Sequence, residues 1–241
     1  MLNEIKRISL LLCLCSHIPL AVADGDSPAA SGTGHADTAK GIDVSHFQGE
    51  VDWAKVKQAG ITFTFVKATG GDDYTDPHFD ENWAGSGKAG LFRGAYHFFY
   101  ANDDALGQAK HFINTVKSFP RNLPPVVDVE VSEHVDKEKL VADVLVWLDY
   151  VRQTTGCTPI IYTDPGFGDH YFTNKELQAY PLWIADYATR VEDIPSAWWG
   201  EHWTFWQYTQ TGEIAGVNAD VDRNRFNGTP SELKKHLCKK T

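Results

Sequence analysis

The sequence predicts an α/β barrel related to the (β/α)8 fold, and three observations predict it. About eight apolar runs recur from Gly41 onward, each short enough to be a buried strand. The early runs alternate with amphipathic stretches, the pattern of parallel strands joined by helical crossovers. No glycine-rich phosphate loop follows the first run, which argues against a doubly wound nucleotide-binding sheet.

The expected strands are Ile42–Phe47, Ile61–Ala68, Phe92–Tyr100, Val126–Val131, Ile160–Thr163, Leu182–Tyr187, Trp203–Tyr208 and Val221–Phe226. Helical patterns fill the early gaps at Asp52–Ala59, His78–Lys88, Ala105–Lys117 and Lys137–Thr155. Asp52 is placed to cap the first helix with its carboxylate. Gly60, Gly90 and Gly156 stand where helices should stop, because glycine enters the left-handed cap conformation without strain. The last connections differ. The stretches from Tyr187 to Trp203 and from Tyr208 to Val221 are rich in Gly, Pro and Trp and lack helical periodicity. A parallel crossover needs about a dozen or more residues, usually a helix. The barrel is therefore expected to close with strands that lack proper helices, some of them antiparallel.

The chain has 241 residues, 42% of them hydrophobic, which is enough for one sizeable core. Its formal net charge of −10, without a basic cluster, argues against nucleic acid and anionic membrane surfaces as partners. Eight Trp and nine Tyr suit a sugar-binding surface but also fill cores. The N-terminus reads as an export signal over residues 1–23. Lys6-Arg7 precede an apolar stretch too short to span a bilayer, and Ala21-Val22-Ala23 supplies a cleavage site. Residues 24–40 are small and polar and read as a flexible linker to a domain over 41–241. Signal removal leaves only Cys157 and Cys238. In an exported chain these two are candidates for one disulfide, or else two buried thiols.

The chemistry gathers where barrel enzymes place it, at the C-terminal ends of strands. The run Pro124-Pro125-Val126-Val127-Asp128-Val129-Glu130-Val131 sets two carboxylates two residues apart. In a strand they share one face, with Cα atoms about 6.6–6.8 Å apart. Burying two carboxylates side by side is costly, and its natural use is paired acid chemistry, in which one group holds a proton and the other stays ionised. The plainer reading makes one of them a solvent-side residue at a strand end. Other strand ends carry Asp43 with His46 and Gln48, Tyr96 with His97 and Phe98, Tyr162 with Asp164, Trp183 with Asp186 and Tyr187, Trp206 with Gln207, and Asp222. Carboxylates that bind hydroxyls and rings that stack on pyranose faces are what a sugar-cleaving groove needs. Trp198, Trp199 and Trp203 read as packing beneath a loop. No H-E-x-x-H or close histidine pair occurs, so no metal and no cofactor are expected.

At this point the residues resemble a known family. Gly41-Ile42-Asp43-Val44-Ser45-His46-Phe47-Gln48-Gly49 with Val51-Asp52-Trp53 looks like the opening of glycoside hydrolase family 25, the lysozymes that act as N-acetylmuramidases. Further segments agree in order: Gly94-Ala95-Tyr96-His97-Phe98, Asp128-Val129-Glu130, Ile160-Ile161-Tyr162, Leu182-Trp183-Ile184-Ala185, Trp206-Gln207-Tyr208 and Val221-Asp222. The resemblance implies five β/α units closed by three strands with few helices. It implies hydrolysis of the β-1,4 bond between N-acetylmuramic acid and N-acetylglucosamine in peptidoglycan glycan strands; with the export signal, the expected place is the periplasm or outside the cell, and the expected state a monomer. Glu130 would be the proton donor. Asp128 would be either the nucleophile or the group that orients the substrate 2-acetamido arm. Asp43 and Asp222 would flank them, and Tyr96, Phe98, Tyr162, Trp183, Asp186, Tyr187 and Gln207 would line the groove. One departure stands out: Lys67-Ala68-Thr69-Gly70 lacks the acidic residue that many relatives carry beside the threonine.

Two rivals remain. Chitinase-like barrels carry further aspartates upstream at two-residue spacing, where this chain has Pro124 and Val126. A non-catalytic glycan-binding module on the same barrel would have less reason to retain all four carboxylates.

Overall fold

The structure, a computed structural model, describes residues 38–117, 122–187, 198 and 203–239. The export signal and the linker up to residue 37 lie outside the described residues. Lys40, expected to end the linker, instead opens the first strand. The elements run β1 (Lys40–Val44), α1 (Trp53–Gln58), β2 (Phe63–Gly70), β3 (Tyr74–Thr75), α2 (Phe79–Lys88), β4 (Phe92–Phe98), α3 (Ala105–Thr115) and β5 (Val126–Asp128). They continue α4 (Lys137–Thr155), β6 (Ile160–Thr163), α5 (Pro165–Tyr171), β7 (Leu182–Ala185), β8 (Phe205–Gly212), β9 (Val221–Phe226) and α6 (Pro230–Leu233).

Strands β1, β2, β4, β5, β6, β7 and β8 pair in parallel, in that order. β9 enters antiparallel between β8 and β1 and closes the ring. The two-residue β3 folds back antiparallel on β2 as a side hairpin. This is five β/α units followed by three strands, a modified TIM-like barrel. The turn from β8 into β9 is short because an antiparallel neighbour needs no crossover helix.

Strand periodicity builds two apolar layers. Inward residues such as Phe63, Phe65, Val126, Ile160, Trp183, Phe205 and Phe226 fill the barrel. Phe65 stacks on Trp183 with centroids 4.5 Å apart and meets Phe205 edge-on at 5.1 Å. Outward residues such as Val66, Val127, Ile161 and Ile184 meet Val56, Phe112, Trp147 and Leu148 of the helices. Trp198 is buried in this outer layer and donates its indole N–H to the Tyr180 carbonyl at 3.0 Å. Gly94 is where the ring needs a missing side chain, because a Cβ there would strike the Phe65 ring. Gly60, Gly90 and Gly156 all have positive φ at helix ends.

Several boundaries differ from expectation, among them the end of β7, which stops at Ala185 and not at Tyr187. The first strand stops at Val44, and His46–Gln48 form a 3-10 turn closed by a Ser45 capping box. The fourth strand ends at Asp128, so Glu130 lies beyond it. The short helix α5 was not expected, although Asp164 caps it, accepting from the Phe167 N–H at 3.0 Å, and Pro165 opens it.

The chain end is tied down. Leu233 of α6 joins the interior cluster with Phe226. A disulfide links Cys157, just after α4, to Cys238, with Cα atoms 5.5 Å apart and 81 residues between them in sequence. A loop of that length restricts the unfolded chain by roughly 4 kcal/mol. Replacing both cysteines by serine is therefore expected to lower Tm by roughly 10 °C, read by thermal melting with and without reductant.

Candidate active site

Parallel strands all point the same way, so their C-terminal ends share one mouth of the barrel. There the inward residues change from phenylalanine to polar groups. Asp43 of β1, Lys67 of β2, Tyr96 and Phe98 of β4, and Asp128 of β5 line a cleft of about 630 Å³. Glu130, Tyr162 of β6, Trp183 of β7, Gln207 of β8 and Asp222 of β9 add to the lining, with Ser45 and Gln48 after β1. Phe47 stands at the edge, half exposed.

The antiparallel β9 sets Asp222 directly opposite Asp43. Asp43 is buried, and its Oδ2 accepts from Asn224 Nδ2 at 2.7 Å and from Gln207 Nε2 at 3.1 Å. Each amide is fixed from its other end. Trp183 Nε1 donates to Asn224 Oδ1 at 2.9 Å, and the Tyr162 and Tyr187 hydroxyls both donate to Gln207 Oε1 at 3.0 Å. Burial raises the Asp43 pKa, while the Asn224, Gln207 and Asp222 hydrogen bonds oppose that rise. Burial, and then the Asp43 charge, push Asp222 up to about 9. At neutral pH Asp222 therefore keeps its proton beside Asp43.

Asp128 and Glu130 form the second pair. Asp128 is 7% exposed, and its Oδ1 is sealed from water without a hydrogen-bond partner. Burial first, and then the Glu130 charge, raise its pKa well above the ordinary carboxylate range. Glu130 keeps solvent contact along the open cleft, but the cleft walls crowd its carboxyl on the other sides. That crowding, followed by the Asp164 charge, lifts it to about 7. The cleft therefore holds an open carboxyl that titrates near neutrality beside a sealed one with an unfilled acceptor.

The expected groove residues divide into three groups. Tyr96, Phe98, Tyr162 and Gln207 lie in the lining. Trp183 is also there, but at 2% exposure it forms the floor, stacked on Phe65 and not open for ring stacking. Tyr187 stands half exposed beyond β7, reaching inward only through its hydroxyl. Asp186 does not line the cleft. Strand parity turns Trp183 and Ala185 inward, so Asp186 falls in the other phase, where its backbone bonds to Gln207 and Trp206. His97 faces outward as well. Thr69 Oγ1 meets its Nδ1 at 2.7 Å, its Nε2 donates to Gln108 Oε1 at 3.0 Å, and burial lowers its pKa to about 3. His46 is bonded to buried Asp76 at 2.7 Å.

Sequence reading passed over Asn224, Phe47 and Lys67 as site residues. Asn224 carried a usable signal, since it shares a strand face with Asp222 and Phe226. Raised carboxyl pKa values also have a stability cost. Because Asp222 binds its proton more tightly folded than unfolded, its contribution is fully present below about pH 4 and is lost as pH climbs toward 9. Asp222→Asn keeps a donor toward Asp43 without the charge. It is expected to raise Tm relative to the parent at pH 8 and to match it at pH 4 in parallel thermal melts.

Comparison with known proteins agrees with this geometry. Residues 42–217 match the family model for glycosyl hydrolases family 25. The chain is 41% identical to the protein YegX of Escherichia coli (strain K12) over 204 residues, covering 82% of this chain and 72% of that protein. It is 35% identical to Lysozyme M1 of Streptomyces globisporus over 224 residues, 87% of this chain and 75% of that one. The solved structure of the bacterial lysozyme from Streptomyces coelicolor aligns with a TM-score of 0.80 at 32% identity, covering 84% of this chain and 98% of that one. With the barrel, the closing strand and the matched residues all in agreement, the chain belongs to glycosyl hydrolases family 25.

Proposed function

We propose that the protein is an exported N-acetylmuramidase that cleaves the β-1,4 bond between N-acetylmuramic acid and N-acetylglucosamine in peptidoglycan. The observation that carries this reading is the unequal pair in the cleft: the open Glu130 carboxyl titrating at about 7, and the sealed Asp128 oxygen with no partner. A carboxyl with that pKa delivers a proton to a departing glycosidic oxygen near neutral pH. A buried acceptor without a donor suits the N–H of a 2-acetamido group, which fills it only when substrate is bound.

In the mechanism we propose, the acetamido carbonyl oxygen of the muramic acid ring attacks its own anomeric carbon. The glycosidic C–O bond breaks, and the Glu130 proton passes to the leaving oxygen. The acetamido N–H donates to the open Asp128 Oδ1, a hydrogen bond that favours the ionised form of a carboxyl whose burial otherwise keeps it protonated, and Asp128 then stabilises the cyclic cation. Water then attacks the anomeric carbon, Glu130 takes back a proton, and the acetamido group is restored with the configuration retained. Asp43 and Asp222 hold the substrate beside this pair, with Tyr96, Phe98, Tyr162, Gln207 and Tyr187 along the groove. The Cys157–Cys238 disulfide supports an oxidising compartment, the periplasm or the medium, in keeping with the signal read at residues 1–23.

The test is digestion of purified peptidoglycan by the mature chain and by Glu130→Gln, with mass spectrometry of the reduced fragments. Fragments ending in reduced muramic acid are expected from the parent, and Glu130→Gln should release them about a thousandfold more slowly. Binding to the glycan without release by either chain would turn the reading to a non-catalytic module. Activity should also fall above about pH 7, because the acid must carry its proton to act. Early products should be the β-anomer by NMR, and a stable covalent adduct on Asp128 would overturn the acetamido route.

A further inference from the structure

Among the described residues, the cleft lining carries four carboxyl groups and one cation, Lys67. Its place in β2 follows Phe63 and Phe65 on the inward face, so strand alternation sends a lysine where two core phenylalanines precede it. Lys67 pairs with Tyr96 on β4, and Phe98, two residues on, pairs with Asp128 on β5. The ammonium therefore starts below the level of Asp128 and rises along the Phe98 ring. It lies 5.1 Å from the Phe98 centroid and 5.5 Å from that of Tyr74 in the side hairpin. A break in the β2–β4 register follows immediately after Lys67.

Lys67 is only 8% exposed, and among the described residues no hydrogen bond or ion pair engages it. The stem is buried while the ammonium reaches the cleft, and even this partial loss of hydration is costly, with two ring faces recovering only part of it. What makes the position tenable is the field of the carboxyl groups around it. The relation runs both ways, since a cluster of buried acids with no cation would bind protons until little charge was left.

We propose that Lys67 is a positioning residue for the hydrolysis: its ammonium, held between the Phe98 and Tyr74 rings, is the counter-charge that lets the Asp128–Glu130 pair carry one proton and one negative charge. The assignment rests on the muramidase reading above. Lys67 lowers the proton affinity of both members of the pair, against the burial that raises it. The other ionisable groups about it do not take over this role. Asp222 keeps its proton up to about 9, and the Asp164 charge raises the Glu130 proton affinity where Lys67 lowers it. Burial drives Tyr96 and Tyr162 well above their ordinary range. His97, behind β4, is neutral. His46 stands behind Tyr74, its Nδ1 3.2 Å from the tyrosine hydroxyl and bonded to Asp76.

The experiment is the pH dependence of kcat/KM on solubilised peptidoglycan, from about pH 4 to 9, for the wild type, Lys67→Arg and Lys67→Met, with Lys67→Gln as a second neutral variant. Thermal melting selects the folded variants. Removing the cation is expected to move both limbs of the profile upward by about one pH unit, so that kcat/KM near pH 5 falls roughly tenfold with KM little changed. Lys67→Arg is expected to keep both limbs in place. A folded neutral variant whose limbs coincide with the wild type overturns the assignment, as does a loss confined to KM. A wild type that releases no reduced muramic acid overturns the muramidase reading itself. An active wild type with unmoved limbs in the neutral variants overturns only the role given to Lys67.

Discussion

Like charge confined in one apolar-walled mouth is the constraint on which the rest of this molecule depends. Four carboxyl groups converge there, and among the described residues none pairs with an arginine. Their mutual repulsion is relieved by donors placed with care: the amides of Asn224 and Gln207, the proton on Asp222, and the lone lysine of β2. The two amides and the lysine are themselves anchored by aromatic residues. Trp183 holds Asn224, two tyrosines hold Gln207, and Phe98 with Tyr74 hold Lys67. The aromatic richness of the composition is thus largely spent on fixing polar groups and filling the barrel, and less on open sugar-stacking surface than the groove reading suggests.

The barrel separates stability from chemistry along its axis. Its lower interior is a tight aromatic cluster sealed by α6 and the disulfide. Its upper end holds polar groups whose protonation is perturbed by burial. The same strands serve both ends, because one inward phase runs from phenylalanine at the bottom to an acid, an amide or a hydroxyl at the top. β2 is the clearest case, with Phe63, Phe65 and Lys67 on a single face.

Much of this was legible in the amino-acid order, and the failures have physical causes. Parallel strands buried on both faces read as apolar runs, so β2, β4, β6 and β7 were plain, as was the shift to helix-poor closure after β7. Asp43, Asp128 and Asp222 were legible because acids interrupt those runs at strand ends. The exit of Glu130 from its strand was not, since the valines on either side keep the alternation going after the neighbouring strands have diverged. Helix α5 escaped notice because seven residues with two glycines carry almost no periodicity. Asp186 was drawn into the groove by proximity to Trp183, although strand parity points it elsewhere. Lys67 was visible only as an oddity in a motif, because its partners come from β3 and β4.

The ring closes by joining the first strand to the last. Asp43 and Asn224, hydrogen-bonded across β1 and β9, are 181 residues apart in the chain. Contacts so distant in sequence slow folding, because the entropy of closing the loop is lost before the pairing rewards it. A nascent or truncated chain lacking β9 has neither Asp222 nor Asn224, and its Asp43 is left with no strand on that side. The acidic site is therefore complete only in the whole domain, since its last two polar groups arrive with the closing strand.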